Sequence, residues 1–203
     1  QEQAEQIVRD QTAINARSGG RNAAMVAIDP KNGEIRALVG SADYSNEQFG
    51  KFNVAISPRQ PGSSFKPIYF TEALNQRLIT PATIMKDEAS DFGGYKPDNF
   101  DFRFRGDITI RNALAQSLNI PAVKVMDELG VSNAIETAQR MGINTITKEQ
   151  DYGLSLALGA AEATPLAMTN AYAAFASGGQ QYEPTTIRQI ENKYGENMYT
   201  NNI

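Results

Sequence analysis

The chain of 203 residues contains neither cysteine nor histidine, and this double absence limits its fold and its chemistry more than any motif does. Disulfide frameworks and zinc fingers are excluded, so the fold must depend on packing among the 41% of residues that are hydrophobic. A cysteine nucleophile and a Ser-His-Asp triad are excluded as well. A nucleophilic serine would therefore need another base, and a lysine whose pKa is lowered by burial is the obvious substitute.

The charge balance excludes further classes of partner. The chain has 19 basic and 23 acidic residues and a formal net charge of -4, so we do not expect nucleic acid as a ligand. No cluster of ligating side chains predicts a metal ion or an organic cofactor. No apolar run is long enough to span a membrane, and residues 1–9 lack the profile of a signal peptide. We expect a globular domain.

Hydrophobic periodicity predicts a mixed α+β fold. Apolar residues recur at a spacing near 3.6 across residues 3–16, which predicts an amphipathic helix. The apolar runs 23–28 and 35–39 flank an Asp-Pro-Lys-Asn-Gly turn and predict a β-hairpin on which this helix packs.

The remaining chain is predicted to be mainly helical. Helices are expected at 109–116, 121–129, 132–141 and 164–177, and a last extended piece near 185–190. The stretch 80–107 is rich in Pro, Gly, Asp and Asn, so we expect it to be irregular. Its scattered aromatic residues predict that it is nevertheless packed: Phe92, Tyr95, Phe100, Phe102 and Phe104.

Pro67 fixes where one helix begins. Proline is tolerated only in the first turn, so a helix that runs to Leu74 must start close to Ser63. Ser63 and Lys66 then share a face, within reach of each other. Free backbone N–H groups and the positive end of the helix dipole would stabilise an oxyanion there and would lower the pKa of Lys66.

Each motif has a plainer interpretation when taken alone. Composition alone gives about 0.4 S-x-x-K matches by chance, and a serine such as Ser63 often serves only as a helix cap. Ser117-Leu118-Asn119 is the one S-x-N sequence of the chain, and it is equally compatible with the C-terminus of a helix.

The flanking sequences make the two motifs specific. Residues 61–67 (PGSSFKP) and 111–123 (RNALAQSLNIPAV) closely resemble segments of penicillin-binding proteins. Residues 24–40, 105–109 and 154–179 resemble the bifunctional, class A branch of that family. The resemblance covers nearly the whole chain from about residue 20.

The resemblance implies a serine D-Ala-D-Ala transpeptidase that cross-links peptidoglycan stem peptides and is acylated by β-lactam antibiotics. It would work at the extracytoplasmic face of the bacterial membrane, in a membrane-anchored parent protein. Ser63 would be the nucleophile, Lys66 the proton acceptor and Ser117 a proton relay to the leaving group. Asn119 would bind an amide of the substrate or antibiotic.

The implied architecture is a partial penicillin-binding/β-lactamase-like transpeptidase fold. Residues 1–62 would form the N-terminal helix, hairpin and connecting loop, 63–180 the helical subdomain with the motifs, and 181–203 an incomplete C-terminal part. The family's third motif, Lys-Thr/Ser-Gly on a sheet strand, is absent from the 203 residues. We therefore expect a fragment that lacks C-terminal sheet strands, has reduced or no turnover and has the rest of the domain as a partner.

Two alternatives stay open at this point. The same motifs occur in serine β-lactamases of this superfamily, although the flanking sequence differs and no deacylating glutamate is evident. A non-catalytic fragment, acting as an interaction or sensor module through an exposed sheet edge, is the other alternative.

Overall fold

The computed structural model describes residues 1–147 and 151–201, and these contain both helices and short strands, which confirms the predicted α+β class. The helices are α1 (Glu2–Asn15), α2 (Lys66–Asn75), α3 (Ile110–Ala115), α4 (Asn119–Leu129), α5 (Val131–Arg140) and α6 (Pro165–Ala176). The strands are β1 (Met25–Ile28), β2 (Ile35–Val39), β3 (Ile84–Asp87), β4 (Gly106–Thr109), β5 (Gln189–Glu191) and β6 (Asn197–Thr200). Within this described part they pair as three separate antiparallel hairpins, β1-β2, β3-β4 and β5-β6.

The chain divides into two compact units. The first comprises Gln1–Arg59, Met141–Ile143 and Ala163–Ile203, and the second comprises Gln60–Arg140 and Asn144–Glu162. Helix α6 is thus grouped with the first unit. The second unit contains all four residues that the sequence singles out for chemistry: Ser63, Lys66, Ser117 and Asn119.

In the first unit, α1 packs on the β1-β2 hairpin, as the sequence predicts. Ala4 and Val8 of α1 form a buried cluster with Ala37 and Val39 of β2. The strands pair with Val39 opposite Met25 and Ala37 opposite Ala27, so every second residue of β2 faces the helix. The hairpin forms where the sequence places two apolar runs around an Asp-Pro-Lys-Asn-Gly turn.

In the second unit, α2 is the central helix and contacts both α4 and α5. Its buried side chains include Ile68, Tyr69, Phe70 and Ala73. The Tyr69 hydroxyl lies within hydrogen-bond distance of the backbone oxygens of Ala122, at 3.1 Å, and Ala157, at 3.3 Å. A helix covered on so many sides provides a rigid base for the residues at its N-terminus.

The stretch 80–107 differs from the prediction in two respects. It contains strands β3 and β4, which the sequence did not indicate because neither shows a clear alternation of apolar and polar residues. The expectation of packed aromatic side chains is wrong for Phe100 and Phe102, which are 98% and 78% exposed. Two of its buried side chains are instead the polar Asp87 and Asn99, which hydrogen bonds join to each other.

The other predicted helices are confirmed within one or two residues at most ends. The extended piece predicted near 185–190 overlaps β5, which pairs with β6. Among residues 1–147 and 151–201, no helix combines the length and the apolar character needed to cross a bilayer.

Candidate active site

Ser63 lies in a short 3₁₀ helix, Gly62–Phe65, that leads directly into α2. Residues three apart eclipse each other in 3₁₀ geometry, so Ser63 and Lys66 share a face as the sequence predicts. The Lys66 backbone N–H donates to the Ser63 carbonyl oxygen, while the Ser63 side chain is exposed. In the described part of the chain, no hydrogen bond joins the Ser63 hydroxyl to Lys66 Nζ or to any other group.

A close backbone approach supports the peptide that precedes Ser63. Gly159 has φ 73°, and a Cβ added to it would lie 2.2 Å from the carbonyl oxygen and 2.6 Å from the nitrogen of Gly62. No side chain fits at such distances, so only glycine allows this packing. The sequence analysis did not identify Gly159, because a glycine after an apolar run signals only a turn.

Lys66 is 1% exposed and directs its ammonium nitrogen toward the Ser117-Leu118-Asn119 turn. Its Nζ lies 2.8 Å from both the Ser117 carbonyl oxygen and Asn119 Oδ1. The Leu118 carbonyl oxygen, at 3.2 Å, and the Ser117 Oγ, at 3.3 Å, complete the set. The lysine of the first motif and the two polar side chains of the second therefore meet at one nitrogen atom.

Burial lowers the pKa of Lys66 from its ordinary value of 10.5 to about 8, because the charged form loses solvation. The four oxygen atoms around Nζ act in the opposite direction, since they favour the ammonium form. With a pKa of about 8, roughly a tenth of the molecules carry a neutral amine at pH 7. A proton acceptor is thus available near neutral pH.

The turn at Ser117 is the C-terminal cap of α3. The Leu118 N–H donates to the Ala113 oxygen and the Ser117 N–H donates to the Leu114 oxygen, each at 2.9 Å. Leu118 and Ala113 also share a buried apolar cluster with Ile108. These features define a Schellman motif, in which the residue at the left-handed position is usually glycine.

Here that left-handed position is occupied by Ser117, with φ 55°. A residue with a Cβ in this conformation costs about 1–2 kcal/mol. The turn gains from it an arrangement in which the carbonyl oxygens of Ser117 and Leu118 both face Lys66 Nζ. The sequence analysis predicted a helix end here but not the strained conformation.

Asn119 is the first residue of α4, and its backbone N–H is capped by a distant side chain. The preceding Leu118 provides no side-chain cap, and Asn99 Oδ1 accepts the Asn119 N–H at 2.8 Å. Asn119 Nδ2 donates to the Asp98 carbonyl oxygen at 2.7 Å, which leaves its Oδ1 facing Lys66. Both ends of the Asn119 amide are therefore held.

Asn99 is in turn held by Asp87. Asn99 Nδ2 lies 2.9 Å from both carboxylate oxygens of Asp87 and from the Arg103 carbonyl oxygen. Asp87 Oδ2 also accepts the backbone N–H of Arg105 at 2.8 Å. The sequence analysis missed Asp87 and Asn99, since nothing in their spacing distinguishes them from other polar residues of a turn-rich segment.

The structure brings together an exposed serine, a buried lysine three residues later and a serine-asparagine turn around the lysine amine, the arrangement expected from the resemblance to penicillin-binding proteins. The sequence model described as the penicillin binding protein transpeptidase domain matches residues 23–202. The chain belongs to this family.

The individual relatives are penicillin-binding proteins of the class A type. The chain is 32% identical to penicillin-binding protein 1F of Bacillus subtilis over 98% of its length, which is 27% of that protein. It is 35% identical to penicillin-binding protein 1A of Aquifex aeolicus over 87% of its length, or 24% of that protein. The crystal structure of penicillin-binding protein 1A from Haemophilus influenzae superposes with a TM-score of 0.76 at 35% identity, covering 88% of this chain and 27% of that one. The chain thus spans about a quarter of the length of these relatives, and their fold confirms the predicted partial transpeptidase architecture.

Proposed function

We propose that this chain carries the nucleophile and the proton-transfer groups of a peptidoglycan D-Ala-D-Ala transpeptidase that β-lactams acylate. The observation that carries the proposal is the convergence of Ser117, Leu118 and Asn119 on the buried amine of Lys66, three residues after an exposed serine. Such a constellation suits acyl transfer by serine in a stretch of 203 residues that contains no histidine.

In the first step, Ser63 Oγ attacks the carbonyl carbon of the penultimate D-Ala and passes its proton to the neutral amine of Lys66. A neutral amine has two N–H groups and one lone pair. The two shortest contacts of Lys66 Nζ are to the Ser117 carbonyl oxygen and to Asn119 Oδ1, and these two oxygens can accept both N–H groups. The lone pair is then free to receive the proton from Ser63.

In the second step, the tetrahedral intermediate expels the terminal D-Ala, whose nitrogen takes a proton. Ser117 Oγ lies 3.3 Å from Lys66 Nζ, so it can pass a proton from the lysine to the leaving nitrogen. The acyl group stays on Ser63 until an amine of a second stem peptide attacks it and releases the serine. A β-lactam follows the first step, but its leaving nitrogen stays tethered, so the acyl-enzyme persists.

The family relation supports a setting in cell-wall synthesis, at the extracytoplasmic face of the membrane, with stem peptides as substrates and no cofactor. The Lys-Thr/Ser-Gly motif of the family is not among the 203 residues. Since loss of one oxyanion-hole donor costs about 100- to 1000-fold in rate, we expect efficient turnover only in the full-length protein.

Intact-mass spectrometry after incubation with benzylpenicillin tests the proposal, applied to the full-length protein and to the 203-residue chain. We expect one covalent adduct in the full-length protein, lost in Ser63→Ala. Ser64→Ala is the matched control, because Ser64 is the exposed neighbour and its hydroxyl donates to the Pro61 carbonyl oxygen at 2.6 Å. Absence of any adduct in the full-length protein would contradict the proposal.

The same experiment separates the two alternatives. A serine β-lactamase would form the adduct only transiently and would hydrolyse penicillin in many turnovers. A non-catalytic interaction module would show no adduct and no hydrolysis. A stable adduct that depends on Ser63 contradicts both.

A further inference from the structure

The hydrogen bonds around Lys66 do not end at the S-x-N turn. They continue from Asn119 to Asn99 and from Asn99 to Asp87, two side chains that are 2% and 0% exposed. Neither touches Lys66 Nζ, and no step of the reaction requires either of them. Two fully buried polar residues in a turn-rich segment are costly unless every polar atom finds a partner.

We propose that Asn99 and Asp87 are positioning residues that fix Asn119, and through it Lys66, in the geometry for acylation. The effect on acylation rests on the proposed function. The claim that Asn99 and Asp87 fix Asn119 rests on the hydrogen bonds alone.

The start of α4 depends on Asn99 for its cap. The first N–H groups of a helix have no partner within the helix, and a side chain at the residue before it normally accepts one of them. Leu118 occupies that place and cannot do so. Asn99 Oδ1 supplies the missing acceptor for the Asn119 N–H, so the position of the S-x-N turn depends on the position of Asn99.

The orientation of Asn99 depends on its two partners. Its amide must present oxygen to Asn119 and nitrogen to Asp87, and a flip of the amide would set N–H against N–H at one end and oxygen against carboxylate at the other. The Asp87 carboxylate therefore determines which way the Asn99 amide points. Asp87 itself is fixed to β3 and to the Arg105 backbone N–H at 2.8 Å.

Asn119 is held at its backbone and at its side chain. With its backbone held by Asn99 and its Nδ2 held by the Asp98 oxygen, Asn119 can direct only Oδ1 toward Lys66. Asp98 immediately precedes Asn99, so one short segment of chain fixes both the backbone and the side chain of Asn119. This segment is the link between the β3-β4 hairpin and the amine of Lys66.

A swap of the two residues provides a sharp test. Asp87→Asn and Asn99→Asp each break the pairing of amide with carboxylate, whereas the double variant restores it in reverse. In the double variant the new carboxylate at 99 can accept from the Asn119 N–H and from an amide at 87. That amide can still accept the Arg105 N–H, and the Arg103 oxygen loses the Asn99 donor but keeps Arg105 Nη1, at 2.7 Å.

The kinetic readout is acylation of the full-length protein by a chromogenic cephalosporin, resolved into the affinity of the first complex and the rate constant of acylation. Each single variant should lower the acylation rate constant by about 10- to 100-fold, since small displacements of catalytic groups have effects of this size. The double variant should recover most of that loss, and affinity should change less than the rate constant. Thr137→Val is the control for lost stability, because Thr137 is a buried polar residue of α5 in the same unit.

The structural readout needs no acylation. In NMR spectra of the 203-residue chain, the Asn119 side-chain amide should exchange slowly with solvent, exchange faster in each single variant and become slow again in the double variant. If the wild-type protein is never acylated, the proposed function fails, and this readout alone decides the positioning role.

Two results would overturn the inference. In one, both single variants unfold at a lower temperature but keep the acylation rate constant and the Asn119 amide exchange rate of the wild type. They would then behave like the control Thr137→Val, which should lose only stability. In the other, the double variant recovers neither property although it folds.

Discussion

The two segments that meet at the candidate site are held in opposite ways. Ser63 is exposed and its hydroxyl has no hydrogen-bond partner among the described residues, while the backbone of the preceding Gly62 is packed against Gly159. In the 117–119 turn, the backbone carbonyls of Ser117 and Leu118 and the Asn119 side chain all accept hydrogen bonds from Lys66. In the Ser63 segment the backbone is fixed and the serine hydroxyl is free. In the 117–119 turn both the backbone carbonyls and the Asn119 side chain are fixed.

This difference matches the two tasks of the proposed acyl transfer, which are nucleophilic attack and proton transfer. The attacking oxygen must move toward a carbonyl carbon, so a free hydroxyl on a fixed backbone is suited to it. The group that takes the proton must be placed before the substrate arrives, since reorganising buried dipoles during the reaction would add to the barrier. Substitutions in the two segments should therefore differ in how strongly they affect stability and rate.

The largest effect is expected for Lys66→Met, which removes the proposed proton acceptor and keeps the apolar length of the side chain. Acylation by benzylpenicillin should slow by about 100- to 10,000-fold, the usual contribution of general base catalysis. In the wild type, the rate should rise with pH and level off above a pKa of about 8, because only the neutral amine accepts a proton. Stopped-flow measurement of the acylation rate between roughly pH 6 and 10 gives both the loss in the variant and the pH dependence of the wild type.

Lys124→Met is the matched control for this prediction. Lys124 lies in the same unit and its Nζ also donates to a backbone oxygen, that of Lys86, at 2.8 Å. Its loss should leave the rate and the pH profile unchanged. A wild-type rate that does not depend on pH between roughly 6 and 10 would contradict the role of Lys66 as base.

The next effect concerns the backbone of the Ser63 segment. Gly159→Ala would place a methyl group 2.2 Å from the Gly62 oxygen at a residue with φ 73°. Overpacking and left-handed strain together should lower the free energy of unfolding by about 3 kcal/mol. Urea unfolding monitored by circular dichroism measures this loss.

Gly153→Ala separates the two contributions. Gly153 also has a left-handed φ, of 50°, but a Cβ there meets no atom within 4 Å. The control should therefore lose only about 1 kcal/mol, from strain alone. Equal losses in the two variants would show that the close approach to Gly62 does not constrain the Ser63 segment.

The contrast between the two segments also explains what the sequence could predict. The start of α2 follows from Pro67, helix α1 follows from the apolar spacing near 3.6, and the β1-β2 hairpin follows from two apolar runs around a turn. These patterns act through neighbours in the chain. The S-x-x-K pair belongs to this class, since both residues lie on one helical face.

The residues that hold Asn119 and the Ser63 segment in place could not be predicted from such local patterns. Asn99 bonds to Asn119 across 20 positions of sequence and to Asp87 across 12, and the burial of both side chains reverses the usual preference of these residue types. Gly159 is needed because of one contact with Gly62, which no periodicity encodes. The exposed Phe100 and Phe102 led to the wrong expectation for the same reason, since composition shows which residues are apolar but not which ones pack.

The smallest expected effect concerns the backbone strain at Ser117, which has a left-handed φ of 55°. Ser117→Gly and Ser117→Ala both remove the hydroxyl that lies 3.3 Å from Lys66 Nζ, so they differ only in the Cβ at φ 55°. The glycine variant should be more stable by about 1 kcal/mol, because glycine adopts the left-handed conformation without steric cost. Urea unfolding of the two variants measures the difference, and an alanine variant as stable as the glycine variant would contradict it. If the glycine variant is the more stable and both variants are acylated equally slowly, the serine costs stability and its hydroxyl is needed for acylation. Strained residues of this kind occur at functional sites.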